Sequence, residues 1–536
     1  MFLALAVGLG SMARGQGAGH PHVLIIYADQ HRFDCLGAMG NPDVRTPNLD
    51  RLARDGVLFR NSFCTWPVCT PSRYSLLTGQ YVRQHRGRTN RATLLPATPT
   101  FATLLRAAGY RTKAVGKMHF TPAYLDVGFS ELQLAEQNGR GRLVDDYHRY
   151  LRQRGLIDSV DLMDQEQPFR GQAPPEYWKT FGAGASNLSE EHHSTTWIGN
   201  RAVETLAQWE PEHPGLLMVG FIKPHHPFDP PAPWDKMYDP GKLTILPGWT
   251  DQPLERDLRR PGYFDNSTLT APALRRVMAL YYATISQLDA QVGRMMETLK
   301  KKRLYDNTLI IYTADHGEFL GFHHLLLKGN HMYDPLVKVP LMIKFPGQRC
   351  AGTVSDSLVS SVDVTSTILN ESRLRFGPGP DMRGRALGLV CAGQQLPDQR
   401  SSAGSGWREI VFAEQETFTM VRSRTRKLLY TSRPDESLFF DLEKDPLETT
   451  NLFAAPRYQP EIQNLRDALL HWLPTDTQTS AYVDLQARQI DQPNVPPSRV
   501  AAEKEMEDYL DREMRKVLEK IKSTPHSLAK PQRTQR

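Results

Sequence analysis

Three apolar runs, each ending abruptly in charged or amide side chains, constrain this chain more than any other feature. They are His22–Asp29, which closes on Asp29-Gln30, Leu216–Ile222, followed by Lys223-Pro224-His225-His226, and Asn307–Thr313, followed by Asp315-His316-Gly317-Glu318. Such runs are too short to span a membrane and too uniformly apolar for a strand with one wet face, so they predict strands buried on both sides. Arg111–Val115, leading to Lys117-Met118-His119, is a fourth candidate strand. Between these runs lie segments of helical spacing. Pro47–Gly56 carries Leu49, Leu52 and Ala53 on one side, and Pro99–Gly109 repeats the pattern of proline at the start and glycine at the end. Pro272–Lys302 aligns Leu280, Ile285, Leu288, Val292 and Met296. Alternating strands and helices predict an α/β fold: a large, mostly parallel mixed sheet flanked by helices.

At 536 residues the chain exceeds the ~250–300 residues that one core commonly reaches, so additions to that sheet are expected. Gly377–Trp407 is rich in Gly, Pro, Ser and Gln and reads as a connector. Beyond it, Glu409–Ala413, Thr417–Arg422, Lys427–Thr431 and Ser437–Leu442 predict a short antiparallel sheet in a smaller C-terminal lobe, with a helix over Pro460–Leu473. After prolines at 493, 496 and 497, Ser498–Ser523 predicts an exposed amphipathic helix with Met506, Leu510, Met514, Val517 and Ile521 in one stripe. The expected organisation is residues 1–20 as a signal peptide or disordered start, 21–390 as a catalytic α/β domain, 405–490 as the smaller lobe, and 498–536 as a helix with a basic tail. Phe2–Gly10 is apolar, is followed by small residues and lacks a charged leader; it predicts export, to a secreted or periplasmic location. No other run predicts a membrane span. A net charge of +6, from 65 basic and 59 acidic residues, gives no reason to expect a nucleic-acid partner. Five cysteines (Cys35, Cys64, Cys69, Cys350, Cys391) are too few for a disulfide scaffold and form no CxxC pair.

In an open parallel sheet the carboxyl ends of the strands share one edge, where ligands bind. The four polar clusters therefore converge if their strands are parallel. Asp29 and Asp315 are hard oxygen donors and Gln30 adds a neutral carbonyl, a set suited to Ca²⁺, Mg²⁺ or Mn²⁺. His316 is a further ligand or a hydrogen-bond donor. Lys117, His119, His225 and Lys328 are cations or proton donors. A metal with several cationic donors suits a tetrahedral oxyanion: phosphate, phosphonate or sulfate. Cys69-Thr70-Pro71-Ser72-Arg73, preceded by Trp66-Pro67, is not a core pattern. A thiolate is a poor companion for a hard cation, a mismatch that disappears if position 69 carries no sulfur in the mature protein.

CTPSRYSLLTG at residues 69–79 resembles the CxPxR…TG signature of the type I, formylglycine-dependent sulfatases of the alkaline-phosphatase-like superfamily. The resemblance extends, in order, through Asp43–Asp50 (DVRTPNLD), Gly116–His119 (GKMH), Lys223–Phe228 (KPHHPF), Thr313–Glu318 (TADHGE) with Lys328-Gly329 and Val339-Pro340, and Phe440–Glu448 (FDLEKDPLE) with Asn451-Leu452. It implies the fold of that superfamily and hydrolysis of sulfate esters. It also implies that a formylglycine-generating enzyme oxidises Cys69. Asp29, Asp315 and His316, with modified Cys69 and the Gln30 carbonyl, are then the metal ligands, with Ca²⁺ as first choice and Mg²⁺ or Mn²⁺ as alternatives. Arg73 holds the formylglycine, while Lys117, His119, His225 and Lys328 surround the anion. One hydroxyl of the hydrated aldehyde attacks sulfur and His225 protonates the leaving alcohol; the second hydroxyl, deprotonated by His119, expels the anion.

Many members carry two acids where this chain has Asp29-Gln30, and asparagine is frequent at the His316 position. The Asp-Gln and Asp-His pairings resemble those of phosphonate monoester hydrolases and choline sulfatases. A phosphonate monoester hydrolase or phosphodiesterase is therefore the alternative, and an unmodified Cys69 would leave an anion-binding protein without catalysis. The expected substrate is a small or carbohydrate sulfate ester, selected by loops such as Gly128–Tyr177. The sequence carries no prediction of oligomeric state.

Overall fold

A computed structural model describes residues 20–95, 98–258, 263–329, 331–374, 382–392, 407–473 and 497–523. The apolar run at Phe2–Gly10, most of the Gly377–Trp407 connector, the prolines at 493 and 496 and the basic end Thr524–Arg536 lie outside the described residues.

Eight strands form one sheet: β1 (His22–Ala28), β2 (Val57–Phe63), β3 (Arg111–Gly116), β4 (Glu131–Leu134), β5 (Gly215–Phe221), β6 (Thr308–Ala314), β7 (Leu341–Lys344) and β8 (Thr353–Ser360). Their order is β4-β3-β5-β1-β6-β7-β2-β8. Every neighbouring pair is parallel except that β7 runs against both β6 and β2. The four strands read from the sequence are β1, β3, β5 and β6, which are adjacent and parallel in the middle of this order.

Their unbroken apolar character follows from two buried faces. Leu24, Ile26 and Ala28 of β1, with Leu217, Val219 and Phe221 of β5 and Ile310 and Tyr312 of β6, belong to one core cluster. Val23, Ile25 and Tyr27, with Leu216, Met218, Leu309 and Ile311, belong to a second on the opposite face. The first layer is closed by Leu49 and Leu52 of the Pro47–Asp55 helix, Trp197 and Ile198 of Ser194–Ala207, and Leu288, Val292 and Met296 of the 31-residue Ala271–Lys301 helix. The second is closed by Tyr74, Leu76 and Leu77 of Cys69–Thr78, Phe101 and Leu105 of Phe101–Ala107, and Val364 and Ile368 of Val362–Glu371. Two layers of helices over a double-sided sheet are the stable solution for such strands.

A second sheet holds β9 (Val411–Glu414), β10 (Thr419–Arg422), β11 (Arg426–Tyr430) and β12 (Leu438–Asp441), wholly antiparallel in the order β12-β11-β10-β9. Alternation divides its residues. Val411, Ala413, Met420, Leu429 and Phe440 join the first core cluster of the large sheet, whereas Val421, Leu428 and Phe439 pack against Ile462, Leu465 and Leu469 of the Gln459–Trp472 helix.

The last helix differs from expectation. It is divided into Pro497–Ala501 and Glu503–Ser523, and its apolar stripe docks on the helical segment between β4 and β5. Met506, Leu510 and Met514 are buried as the stripe predicts, but Leu518 takes the next seat while Val517 and Ile521 are half-buried. Their partners are Leu162 and Met163 of the Ser159–Gln165 helix. Arg140–Glu503 (2.6 Å) and Arg499–Asp146 (2.5 Å) ion pairs mark its edges.

At their carboxyl ends β3 and β5 approach too closely for side chains. A Cβ on Gly220 would lie 2.0 Å from the Lys117 carbonyl oxygen, and one on Gly116 would lie 2.1 Å from the Gly220 carbonyl oxygen. The Lys117 amide donates to the Gly220 oxygen at 2.7 Å, so this approach fixes where the chain beyond β3 begins. Both obstacles are backbone and cannot rotate away. Gly220→Ala is therefore expected to cost about 1–3 kcal/mol or more through overpacking. A lower urea midpoint together with reduced hydrolysis is expected; an unchanged midpoint would show that these strand ends separate freely.

Candidate metal and anion site

Asp29 follows β1 and Asp315 follows β6. Ala28 and Ala314 are register partners, so the two carboxylates emerge side by side, both fully buried. Two buried like charges need a cation between them. Arg73 supplies it: Nη2 donates to Asp29 Oδ2 (3.0 Å) and Asp315 Oδ2 (3.0 Å), Nε to the same Asp315 oxygen (3.1 Å), and Nη1 to the Lys117 carbonyl (2.8 Å). Lys117 Nζ adds 2.7 Å to Asp29 Oδ2. Burial and the neighbouring sulfur oppose the Asp29 charge, yet Lys117, His225 and Arg73 outweigh them and hold its pKa below the ordinary carboxylate range. Burial and the Asp29 charge push Asp315 upward. The resemblance assigns Arg73 to the modified Cys69; the structure places its guanidinium on the outer oxygens of the two carboxylates that face that residue.

The inner oxygens look into the site. Asp29 Oδ1 lies 3.6 Å from Cys69 Sγ, and His316 Nε2 lies 3.8 Å from Oδ1 of each aspartate. One donor atom from each of Asp29, Cys69, Asp315 and His316 falls within 4.8 Å of every other. His316 Nδ1 donates to the Gly317 carbonyl (2.9 Å), which leaves Nε2 as the ring nitrogen facing the site. Gln30 is held beside them with a φ of 63°. Its backbone N–H donates to Asp315 Oδ1 (3.0 Å) and its Nε2 to Glu318 Oε2 (2.5 Å), while Oε1 is buried without a donor. An unsatisfied buried acceptor costs about 1–3 kcal/mol. Two carboxylate oxygens, an orphaned amide oxygen and an imidazole nitrogen fit a hard divalent cation.

Cys69 opens the Cys69–Thr78 helix, all ten residues of which are buried, so its sulfur sits at the positive end of the helix dipole. The helix ends at Gly79 in the left-handed conformation (φ 66°), its N–H donating to the Ser75 carbonyl. Cys69 Sγ lies 3.2 Å from Lys328 Nζ and 3.3 Å from His316 Nε2, and the His119 side chain also favours its ionised form. Burial raises the thiol, but Lys328, His316 and Lys117 overcome it and leave its pKa well below the ordinary value.

His225 donates from Nδ1 to the His226 carbonyl (2.7 Å), so Nε2 accepts, and Lys328 Nζ reaches it at 3.0 Å. Burial, Lys328 and Lys117 lower the His225 pKa well below its usual value, leaving a neutral imidazole beside an ammonium. The ammonium persists because Cys69, Asp29 and Asp315 outweigh its burial. Each residue singled out from sequence (Asp29, Gln30, Cys69, Arg73, Lys117, His119, His225, Asp315, His316 and Lys328) is thus joined in one contact network.

Several supports escaped sequence reading. Lys117 Nζ donates to Gln137 Oε1 (3.0 Å), and Gln137 Nε2 donates to Asp161 (2.9 Å) and the His226 carbonyl (2.7 Å). Glu136 accepts the His119 amide (3.0 Å), and Asp164 holds His226 Nδ1 (2.6 Å). Glu136 and Gln137 follow β4 as the recognised clusters follow their strands. β4 escaped because it is a short edge strand of sequence ELQL with exposed and half-buried positions, lacking the apolar run that announces a central strand.

Comparison with known proteins agrees with this geometry. The family model described as Sulfatase matches residues 21–371, and that described as N-sulphoglucosamine sulphohydrolase, C-terminal, matches residues 321–473. An arylsulfatase of Clostridium perfringens is 30 % identical, over 84 % of this chain and 94 % of its own length. A choline-sulfatase of Rhizobium meliloti is 30 % identical over 82 % and 83 %. The crystal structure of a phosphonate monoester hydrolase of Agrobacterium radiobacter superposes with a TM-score of 0.70 at 26 % identity, covering 84 % of this chain and 95 % of that one. With the motif series, the sheet and the buried site all in agreement, the chain belongs to the sulfatase family and is a hydrolase of sulfate esters.

Proposed function

We propose that the chain is an exported sulfatase acting on small or carbohydrate sulfate esters, with Cys69 converted to formylglycine by a formylglycine-generating enzyme and a divalent cation, Ca²⁺ first, held by Asp29, Gln30, Asp315 and His316. The observation that carries this reading is a sulfur at the focus of hard oxygen donors. Thiolate and hard cation are mismatched ligand and metal, and an oxygen-bearing side chain at position 69 removes the mismatch. The apolar run Phe2–Gly10 supports export. Relatives named for aryl, choline and N-acetylglucosamine-6-O-sulfate chemistry support the breadth of the substrate class.

A bound cation would polarise the oxygens around the reacting centre, and a hydrated formylglycine would supply two hydroxyls on one carbon, one to attack sulfur and one to release it. The chain's own residues do the rest. Lys117 and Lys328 offset charge on the non-bridging oxygens; losing one such preorganised donor costs about 10²–10³ in kcat in comparable sites. His225 Nε2, 3.0 Å from Lys328 Nζ, is the atom that delivers a proton to the departing alcohol oxygen; an anionic ester beside the ring favours its protonated form, with the proton taken from solvent, while Lys328 keeps its own. Its Nδ1–H, donated to the His226 carbonyl, keeps the ring oriented and stabilises the charged form in passing. His119, whose side chain acts on position 69 and whose Nδ1 is unpartnered, accepts the proton whose loss frees the product.

The test begins with mass spectrometry of the peptide containing residue 69. Formylglycine is expected; unmodified cysteine would support an anion-binding protein instead. Verified enzyme should then turn over a sulfate ester faster than the phosphonate ester of the same alcohol, and the reverse order would favour the phosphonate hydrolase alternative. Cys69→Ser is expected to abolish multiple turnover without lowering the unfolding midpoint, because a single hydroxyl can be esterified but has no second hydroxyl to break the ester. Sustained turnover by that variant would contradict the mechanism. Asp315→Ala is expected to lose calcium binding in calorimetry and activity together; stoichiometric calcium binding would show the ligand assignment to be wrong.

A further inference from the structure

Gln30 is pinned at both ends of its peptide. Its N–H donates to Asp315 Oδ1 (3.0 Å) and its carbonyl accepts the Tyr281 hydroxyl (2.7 Å), with the backbone in the left-handed region at φ 63°. The backbone is thereby fixed, and the remaining freedom is which atom of the side-chain amide faces which way. An amide has one donating and one accepting end of nearly the same shape, so packing alone does not choose between them. Glu318 does. It is fully buried, and its Oε1 accepts two backbone amides, Leu320 (2.9 Å) and Leu327 (2.5 Å), from the loop that leads to Lys328. Its Oε2 accepts Gln30 Nε2 (2.5 Å). With Oε1 of Glu318 taken by two backbone amides and Oε2 accepting Gln30 Nε2, the NH₂ faces Glu318 and Gln30 Oε1 faces away, where it is buried without a donor.

We infer that Glu318 is a positioning residue for the cation: by taking the Gln30 NH₂ it turns the Gln30 carbonyl oxygen toward the space between Asp29 and Asp315. This rests on the metal reading given under Proposed function. Glu318 lies behind the ligands, and its effect passes through one hydrogen bond whose polarity can be reversed.

That polarity supplies the test. In Glu318→Gln the two backbone amides retain the Oε1 acceptor, so the new NH₂ faces Gln30. Two donors then oppose each other, and the Gln30 amide rotates to present NH₂ to the cation. In a Gln30→Glu background the same substitution instead creates a matched pair, an amide donating to a carboxylate whose other oxygen faces the cation. Calcium affinity is measured by calorimetry on the metal-stripped full chain for the unaltered protein, E318Q, Q30E and the double variant, with thermal unfolding as a check of folding. E318Q is expected to weaken calcium at least tenfold when residue 30 is Gln, and to leave it unchanged or tighter when residue 30 is Glu. General damage to the loop, or loss of a distant negative charge, would weaken binding equally in both backgrounds, and that result overturns the inference. So does calcium affinity unchanged by E318Q in the Gln30 background. If E318Q alone does not fold, the comparison of Q30E with the double variant decides, since weaker binding by the double variant contradicts the reversed pair. Absence of calcium binding by the unaltered chain would remove the metal reading and this inference together, whereas binding with a flat cycle removes only the role of Glu318.

Discussion

Arg73 and the two buried carboxylates it joins are the interaction on which the remainder of the site depends. The parallel register of β1 and β6 delivers Asp29 and Asp315 side by side with no exposed surface, an arrangement that repulsion would forbid if nothing intervened. Arg73 occupies Oδ2 of both and so turns Oδ1 of both inward. The same guanidinium also takes the Lys117 carbonyl, tying the end of β3 to the ends of β1 and β6. Because Arg73 lies one turn along the helix that begins at Cys69, the grip on the carboxylates also fixes where position 69 stands. The place of residue 69, the orientation of both aspartates and the alignment of three strand ends therefore share one residue.

How much of this could be read from sequence follows from how each element is buried. β1, β5 and β6 are buried on both faces and so carry continuous apolar runs, visible without any alignment. Their C-terminal polar residues are the site, which is why Asp29, His225, Asp315 and His316 could be placed before the fold was known. β2, β7 and β8 were not legible. β2 breaks its apolar run with the exposed Arg60 and half-buried Asn61, β7 is four residues long behind Pro340, and β8 alternates at the sheet edge. The single antiparallel strand, β7, is what makes the sheet mixed, and nothing in LMIK announces its direction.

The supporting layer was hidden for a related reason. Glu136, Gln137, Asp161 and Asp164 lie in a stretch of short helices and turns between β4 and β5, where polar residues are the rule and buried ones have no distinguishing pattern. Their importance shows only in who accepts from whom: Gln137 links Lys117 to Asp161, and Asp164 links the Ser159–Gln165 helix to His226. That helix is the one on which Leu510 and Met514 of the last helix are seated. A C-terminal segment that looked separate from the chemistry is thus two contacts from His226 and three from Lys117, the first of them its apolar packing on Leu162 and Met163.

Charge balance connects the unmodified chain to its function. With a thiolate at position 69, Asp29, Asp315 and Cys69 oppose Arg73, Lys117 and Lys328, and the buried cluster is close to neutral. A neutral focus of this kind is tolerable in a low-dielectric interior but has no surplus attraction for an anion. Conversion of the thiolate to the proposed uncharged oxygen function would remove one negative charge, and a divalent cation held by the aspartates would add two positive ones. The same side chains would then form a strongly cationic pocket that an anionic ester could neutralise. Gln30 matters in this account as much as the groups that carry charge. An acid in its place would reduce the surplus by one, whereas an amide supplies the same hard oxygen at no charge. With the proposed cation in place the pocket would be more positive than one built with a third carboxylate, and its pull would be greatest on anions that carry, or develop in the transition state, the most negative charge on their non-bridging oxygens.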